Sequence, residues 1–524
     1  MKSWLIIMMI LSTASIGFSM GPEDFVKAGR YEEAIEAYRK ALTEAQVDQE
    51  KARLHKALGD LWALKEDFKK ASKEYLQALS LDKRGFSEEE KFQMAVRLSW
   101  GKYLDEAIEA LLEILKNRPD HLEARIHLAR CLSWSGRLGE SLRRIEEVLQ
   151  KDPENRDALF IQANVLRWRG EHQKAKAIYQ ALLREKEDFD VRLGLTYLLL
   201  SREDRKGIQE SVKRLKPLYP YQEREFKSLT EEIQRRIGPI LGGQYQFYKD
   251  SDHNRLNRYS VWGGGWVEQV RWRLQFRHTG AEDRSRRHRT EELSFGMGSR
   301  IFDSLSLGGG LGITQLRHRE TDHDWTGHVT GGIDFFRGAF GVRFGREVLV
   351  DTAELIENRI RVRSAGGSFS QNIGDRLSLF GSYFYRSYSD SNRSHDVQWI
   401  PRYTVLTQHP RLTLGYRFRY LDFDQQTRHG YFDPENFIAH HLLFGLEVKE
   451  GRTSFLIEPH IGYQSYKRYG RREHDFVIGG AGAFEYRMWR NLYLKVAIEG
   501  GNDASDTASG FKYYQTSLGV TAHF

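Results

Sequence analysis

The chain has a single cysteine, Cys131, in 524 residues. One thiol supports no internal disulfide, no cysteine-based zinc site and no iron–sulfur cluster. Beyond the N-terminus there is no apolar run of about 18 residues, so membrane-spanning helices are excluded. Past residue 21 there is no G-x-S-x-G, and nowhere is there an H-E-x-x-H or a Walker phosphate loop. Asp250-Ser-Asp252-His-Asn254 opens like a calcium loop, but Arg255 and Val261 stand where glycine and a bidentate glutamate belong. No catalytic residue, cofactor or metal is expected. A strong excess of one charge is also missing: 80 basic residues face 72 acidic ones, for a net +8. That balance is no signature of nucleic-acid binding.

What is present divides the chain in two. Of 47 glycines, 11 precede residue 238 and 36 follow it. From Gly238 onward there are 32 arginines but only 5 lysines. The first part is rich in Ala, Leu, Glu and Lys, which favour helix. The second is rich in Gly, Tyr, Phe, Arg, Ser and Thr and reads as strands and turns.

Ahead of both lies a leader. Lys2, the apolar run Trp4–Leu11 and then small residues have the order of a signal peptide, with Gly17 and Ser19 suited to the cleavage site. Residues 1–19 are therefore expected to be removed on export.

Trp100, Trp134 and Trp168 recur every 34 residues. So do Ala107, Ser141 and Ala175, and Leu115, Leu149 and Leu183. Gly136 and Gly170 match, as do Pro119 and Pro153. A period of 34 with a glycine turn is the tetratricopeptide pattern, a stack of helix pairs with a concave face. Looser copies precede these, so about five to six repeats are expected over residues 20–235. The small residues at 107, 141 and 175 mark close helix crossings. The tryptophans, near the end of each first helix, either pack helices together or form a ladder of rings for a ligand such as a sugar.

From residue 238 the apolar period becomes 2. Leu412, Leu414, Tyr416, Phe418 and Tyr420 alternate with polar or small residues, as do Val270, Trp272, Leu274 and Phe276. Short turns, such as Gln408–Pro410, alternate with longer polar loops, such as Arg317–Asp324, Asp351–Asn358 and Gly501–Gly510; there are seven and eight of them, which implies 16 strands. Apolar faces with aromatic ends, opposite charged faces, suit an antiparallel transmembrane β-barrel over 238–524. An even strand count puts both barrel ends, and hence the repeats, on the turn side, the periplasm. The last strand, with Tyr514, Leu518, Val520 and terminal Phe524, resembles the signal read by the barrel-assembly machinery. The expected fold is thus an all-α tetratricopeptide solenoid followed by a 16-stranded antiparallel transmembrane barrel.

The alternation assigns Arg271, Arg273, Arg277, Arg300, Arg343, Arg361, Arg363, Arg402, Arg417, Arg419 and Lys495 to the lumen. Ile360 and Val362 then face lipid. Inward acids include Glu292, Asp334, Asp396, Glu447, Glu458, Glu485 and Glu499. The arginines either pair with these acids and stiffen the wall, or stay free to bind carboxylates and phosphates.

Leader, periplasmic repeats and C-terminal barrel together resemble the outer-membrane exporters of bacterial exopolysaccharides, such as those of cellulose and poly-N-acetylglucosamine. Leu-Ser-Trp-Ser-Gly at 132–136 and Leu-Arg-Trp-Arg-Gly at 166–170 look like repeats beside YaiO-type barrels. The resemblance implies export of a polysaccharide through the outer membrane. It further implies periplasmic or inner-membrane synthase components as partners, with outer-membrane lipid around the barrel. A non-conducting scaffold, or an enzyme acting on lipid, are the alternatives.

Overall fold

The computed structural model describes residues 21–317, 321–407, 410–503 and 512–524. The leader lies outside these residues, as do parts of the turn expected at 408–410 and of the loops expected at 317–324 and 501–510. Two compact units result, one ending at Ala158 and the other beginning at Leu159. The division therefore falls inside the helical region, not at the change from helix to strand.

Helices run from α1 (Pro22–Lys27) to α13 (Pro220–Ile237). In the first unit Ala71, Ala95, Ala107 and Ala124 are wholly buried where helices cross, and Tyr75, Leu98, Leu111 and Ile114 fill the gaps between them. Helix ends follow one device. The residue that ends each first helix's turn is left-handed: Gly29, Glu66, Lys102, Gly136, Gly170 and Glu203 all have positive φ. Glycine adopts that conformation freely, whereas a side chain is strained there. Replacing Lys102 (φ +68°) by glycine should therefore stabilise the repeats by about 0.5–1 kcal/mol. The measurement is thermal loss of the helical circular-dichroism signal of the whole protein.

Between α5 (Glu88–Trp100) and α7 (Leu122–Trp134), His127 is buried and its Nε2 lies 3.0 Å from Ser99 Oγ. Burial, with Arg130 nearby, pushes His127 from 6.5 down to about 4. It is neutral when folded, while the unfolded chain takes up its proton near 6.5. Its contribution to stability is therefore intact above 6.5, shrinks as pH falls, and is gone below about 4. The helical melting temperature should drop between pH 7.5 and 4.5, and His127→Gln should reduce that drop.

The second unit carries most of α9 (Arg156–Trp168), the helices that follow it and the barrel. The strands are β1 (Ile240–Lys249), β2 (Arg255–Val267), β3 (Val270–Glu282), β4 (Arg287–Arg300), β5 (Leu305–Arg317), β6 (Thr321–Phe335), β7 (Gly338–Val348) and β8 (Arg361–Ile373). They continue as β9 (Leu377–Tyr388), β10 (Arg393–Leu406), β11 (Arg411–Phe423), β12 (Glu435–Glu450), β13 (Thr453–Arg468), β14 (Arg471–Arg487), β15 (Leu492–Gly501) and β16 (Tyr513–His523). Each pairs antiparallel with its neighbours, and β16 returns to β1 with Ile240 opposite His523, so the sheet is a closed 16-stranded barrel, as expected.

Closure leaves no unpaired edge. The outer face is an apolar belt: Leu293, Phe295, Leu311, Val329, Phe344, Leu442, Ile478 and Ile498 are all exposed there. Tyrosines bonded to histidines, such as Tyr383 to His395 at 2.9 Å and Tyr416 to His440 at 2.6 Å, sit on the same face. An exposed apolar band with amphipathic aromatics is stable only against lipid.

Candidate functional site: the barrel interior and its closed mouth

Paired residues share a face, so the register assigns each side chain to lipid or lumen. Arg277 opposite Glu292, Arg343 opposite Gly366, Arg402 opposite Gly415 and Arg417 opposite His441 all lie on the inner face. Arg271, Arg273, Arg300, Arg419 and Lys495 fall there too.

Arg361 and Arg363 do not. Val362 pairs with Glu347 and Tyr388 inside the barrel, which puts its two neighbours outside. The expectation is thus reversed at this strand end: Ile360 and Val362 are 2% and 1% exposed and lie within, while Arg361 and Arg363 face outward. Arg361 pairs with Asp324.

The physical reason is what fills the loop end. Between β7 and β8 the chain leaves the wall and forms a short helix, α14 (Ala353–Asn358), inside it. Thr352 Oγ1 caps the helix by accepting from Leu355 N at 3.1 Å. Val350, Ala353 and Ile356 pack on Ala281 of β3 and Leu316 of β5. Leu349, Leu355 and Ile360 pack on Val362, Leu421, Phe437 and Tyr466 of β8, β11, β12 and β13. The segment therefore touches opposite walls and crosses the lumen. Tyr431 and Phe432 of the β11–β12 loop complete this apolar layer. At this end of β8 the inward residue, Val362, is apolar and its outward neighbours Arg361 and Arg363 are charged, the inverse of the usual alternation.

Polar contacts hold the plug at its rim. Arg258 bonds Asp351 at 2.9 Å, Arg286 bonds Glu357 at 2.6 Å, and Asn358 donates to the His429 carbonyl at 3.2 Å. Gly430 is left-handed (φ +96°), and a Cβ there would come within 2.9 Å of the Glu354 side chain, so close approach of the two loops requires glycine. Exposing Leu349, Leu355, Ile356 and Ile360 at about 1.5–3 kcal/mol each would take on the order of 10 kcal/mol. Spontaneous opening is therefore rare.

Below the plug the interior is polar. Arg277 pairs with Glu292 at 3.0 Å, Arg386 and Arg419 share Asp396 at 3.0 and 3.1 Å, and Arg402 pairs with Glu458. Arg300 and Arg202 share Asp334 at 2.7 and 2.8 Å. Arg273 lies over the Trp262 ring at 4.8 Å instead of against an acid. Among the described residues Arg273, Arg343, Arg417 and Lys495 form no ion pair with a carboxylate.

At the turn end, helices α10 (His172–Glu185) to α13 lie against the barrel. Gln173 bonds Asp303 at 2.6 Å, Arg205 donates to the Glu268 carbonyl at 3.0 Å, and Glu231 pairs with Arg487 at 3.1 Å. Between α13, the turn at 451 and the end of β14 is a cavity of about 600 Å³ lined by Arg167, Tyr197, Glu231, Arg235, Arg452 and Arg487.

Each repeat tryptophan ends its helix and is half exposed: Trp100 at 49%, Trp134 at 41% and Trp168 at 41%. Trp100 meets Phe68 edge-on at 5.1 Å, and Arg167 lies over Trp168 at 5.1 Å. Tyr514, Leu518 and Val520 face outward on β16, and the Phe524 amide donates to the Pro239 carbonyl at 2.8 Å.

Family models of the tetratricopeptide repeat match residues 23–85, 104–159 and 135–188. No curated protein matches the chain by sequence. Among solved structures it is similar to a bacterial polysaccharide outer membrane secretin at 13% identity and a TM-score of 0.45, covering 55% of this chain and 98% of that one. It is also similar to CdiB from Acinetobacter baumannii at 11% identity and a TM-score of 0.37, covering 54% and 60%. A third is YrrB, described as a TPR protein with an unusual peptide-binding site, at 20% identity and a TM-score of 0.27, covering 32% and 85%. Likenesses this remote carry no argument about function. Tetratricopeptide repeats joined to a closed, even-stranded barrel with an apolar outer belt define the class: a repeat-bearing outer-membrane β-barrel protein.

Replacing residues 350–359 by a short glycine–serine turn should leave the barrel folded and raise its conductance severalfold in planar bilayers. An unchanged conductance would mean that the lumen is shut elsewhere.

Proposed function

We propose that the protein is a gated outer-membrane channel that exports an anionic exopolysaccharide. The observation that carries this reading is the set of inward cations without carboxylate partners, Arg273, Arg343, Arg417 and Lys495, in a polar lumen closed, among the described residues, by the tethered β7–β8 segment and the β11–β12 loop. Arginine grips carboxylates, phosphates and sulfates bidentately, so an acidic polymer would exchange one guanidinium for the next as it moves. The repeats lie in the periplasm, guide the polymer or dock synthase components, and deliver it to the barrel through the cavity beside α13. Trp100, Trp134 and Trp168 offer ring faces for sugar stacking. Tyr514, Leu518, Val520 and Phe524 serve as the assembly signal. The apolar mouth favours a second reading, a barrel that only anchors a periplasmic scaffold.

Conduction separates the two. In the plug-deleted protein the current should favour anions, and high salt should weaken that preference because the Debye length falls from about 8 Å at physiological ionic strength to about 3 Å at 1 M. Neutralising Arg273, Arg343, Arg417 and Lys495 together should shift the preference toward cations. A plug-deleted barrel that passes no current supports the scaffold. Cation preference from the outset keeps the channel and rejects the acidic polymer.

A further inference from the structure

Three polar side chains on the inner wall point at one another, and each has a buried polar atom without a hydrogen-bond partner. His441 of β12, His460 of β13 and Asp503 just after β15 are 5%, 8% and 9% exposed. One ligand atom from each lies within 4.8 Å of the other two. His441 Nε2, His460 Nε2 and Asp503 Oδ1 have no hydrogen-bond partner. His460 Nε2 lies 3.4 Å from Asp503 Oδ2. Leaving buried polar atoms unpaired costs about 1–3 kcal/mol each, so three in one place call for a shared partner.

The wall is shaped around them. A Cβ on Gly462 would come within 2.4 Å of His441 Cδ2, one on Gly479 within 2.7 Å of His460 Nε2, and one on Gly501 within 2.5 Å of Asp503 Oδ1. Gly479 and Gly501 pair with each other, and Gly479 pairs with His460. Three neighbouring inward positions thus lack the side chains that would fill the space these groups occupy.

We propose that His441, His460 and Asp503 bind a divalent transition-metal ion of the zinc type. Two imidazoles and a carboxylate suit Zn²⁺ or Fe²⁺ and disfavour Ca²⁺ and Mg²⁺, which take oxygen ligands. Ligands around a tetrahedral zinc stand roughly 3.4 Å apart, so the groups close inward by small rotamer changes. Binding would tie β12 and β13 to the segment after β15 inside the lumen.

One neighbour sets a condition. Arg417 Nε donates to His441 Nδ1 at 3.1 Å, which leaves the imidazole proton on Nε2. Coordination through Nε2 moves that proton to Nδ1, and Arg417 must release the ring. Ion binding therefore frees an inward guanidinium. Arg417→Gln removes the competing cation and supplies an oxygen that accepts from Nδ1–H, so it should bind the ion at least as tightly as the unaltered protein.

The full-length protein in detergent, stripped with a chelator, is titrated with Zn²⁺ against a chromophoric competitor. One equivalent should bind with micromolar or tighter affinity. His441→Ala and His460→Ala should weaken binding at least tenfold, and Asp503→Asn by a similar factor, with folding checked by the heat-dependent gel shift of intact barrels. Co²⁺ in the unaltered protein should give the visible absorption of a four- or five-coordinate nitrogen–oxygen site, a readout that holds even if a variant does not fold. Absence of stoichiometric binding below millimolar Zn²⁺, or equal binding by the His441→Ala/His460→Ala double variant, would overturn the proposal. So would weaker binding by Arg417→Gln.

Discussion

A sheet in lipid has nowhere to leave an unpaired backbone group, and every other feature of the second unit depends on that constraint. It requires β16 to return to β1, and it fixes the face of each residue once the register is set. The pairing of β8 is continuous on both sides, so a single buried anchor, Val362, decides the side of the whole strand. The polar interior and the apolar exterior are two consequences of one hydrogen-bond ladder.

The plug obeys a different balance. Its backbone is not part of the ladder, so it must bury side chains against the inner wall to stay in place. Leu355 and Ile356 do so completely, and Arg258, Arg286 and Asn358 satisfy the polar rim. A segment held by side-chain burial and a few ion pairs is less firmly fixed than a strand in the ladder. Closure at the loop end and a polar cavity at the turn end therefore make the barrel asymmetric along its axis.

The repeats and the barrel were legible because both depend on periodicity. The 34-residue spacing of Trp100, Trp134 and Trp168 and the alternation in Leu412–Tyr420 are local patterns that survive without coordinates. The plug was not legible, since Asp351–Asn358 reads as any polar loop and its six-residue helix is stabilised by partners 40 to 110 positions away, among them Leu316, Phe437 and Tyr466. Arg361 and Arg363 were assigned to the wrong face for the same reason. The rule that water lies inside and lipid outside fails where the inside is filled by protein.

The sequence by itself determined the two architectures, the strand count and the faces of strands below the mouth, because backbone periodicity and lipid contact act residue by residue. Only the tertiary structure decided which arginines have acids to bind, what closes the lumen, and that His441, His460 and Asp503 meet. Those depend on the stagger between strands and on where a loop folds back. Residues 19 and 43 positions apart become neighbours there through register alone, and no local pattern in the chain encodes that register.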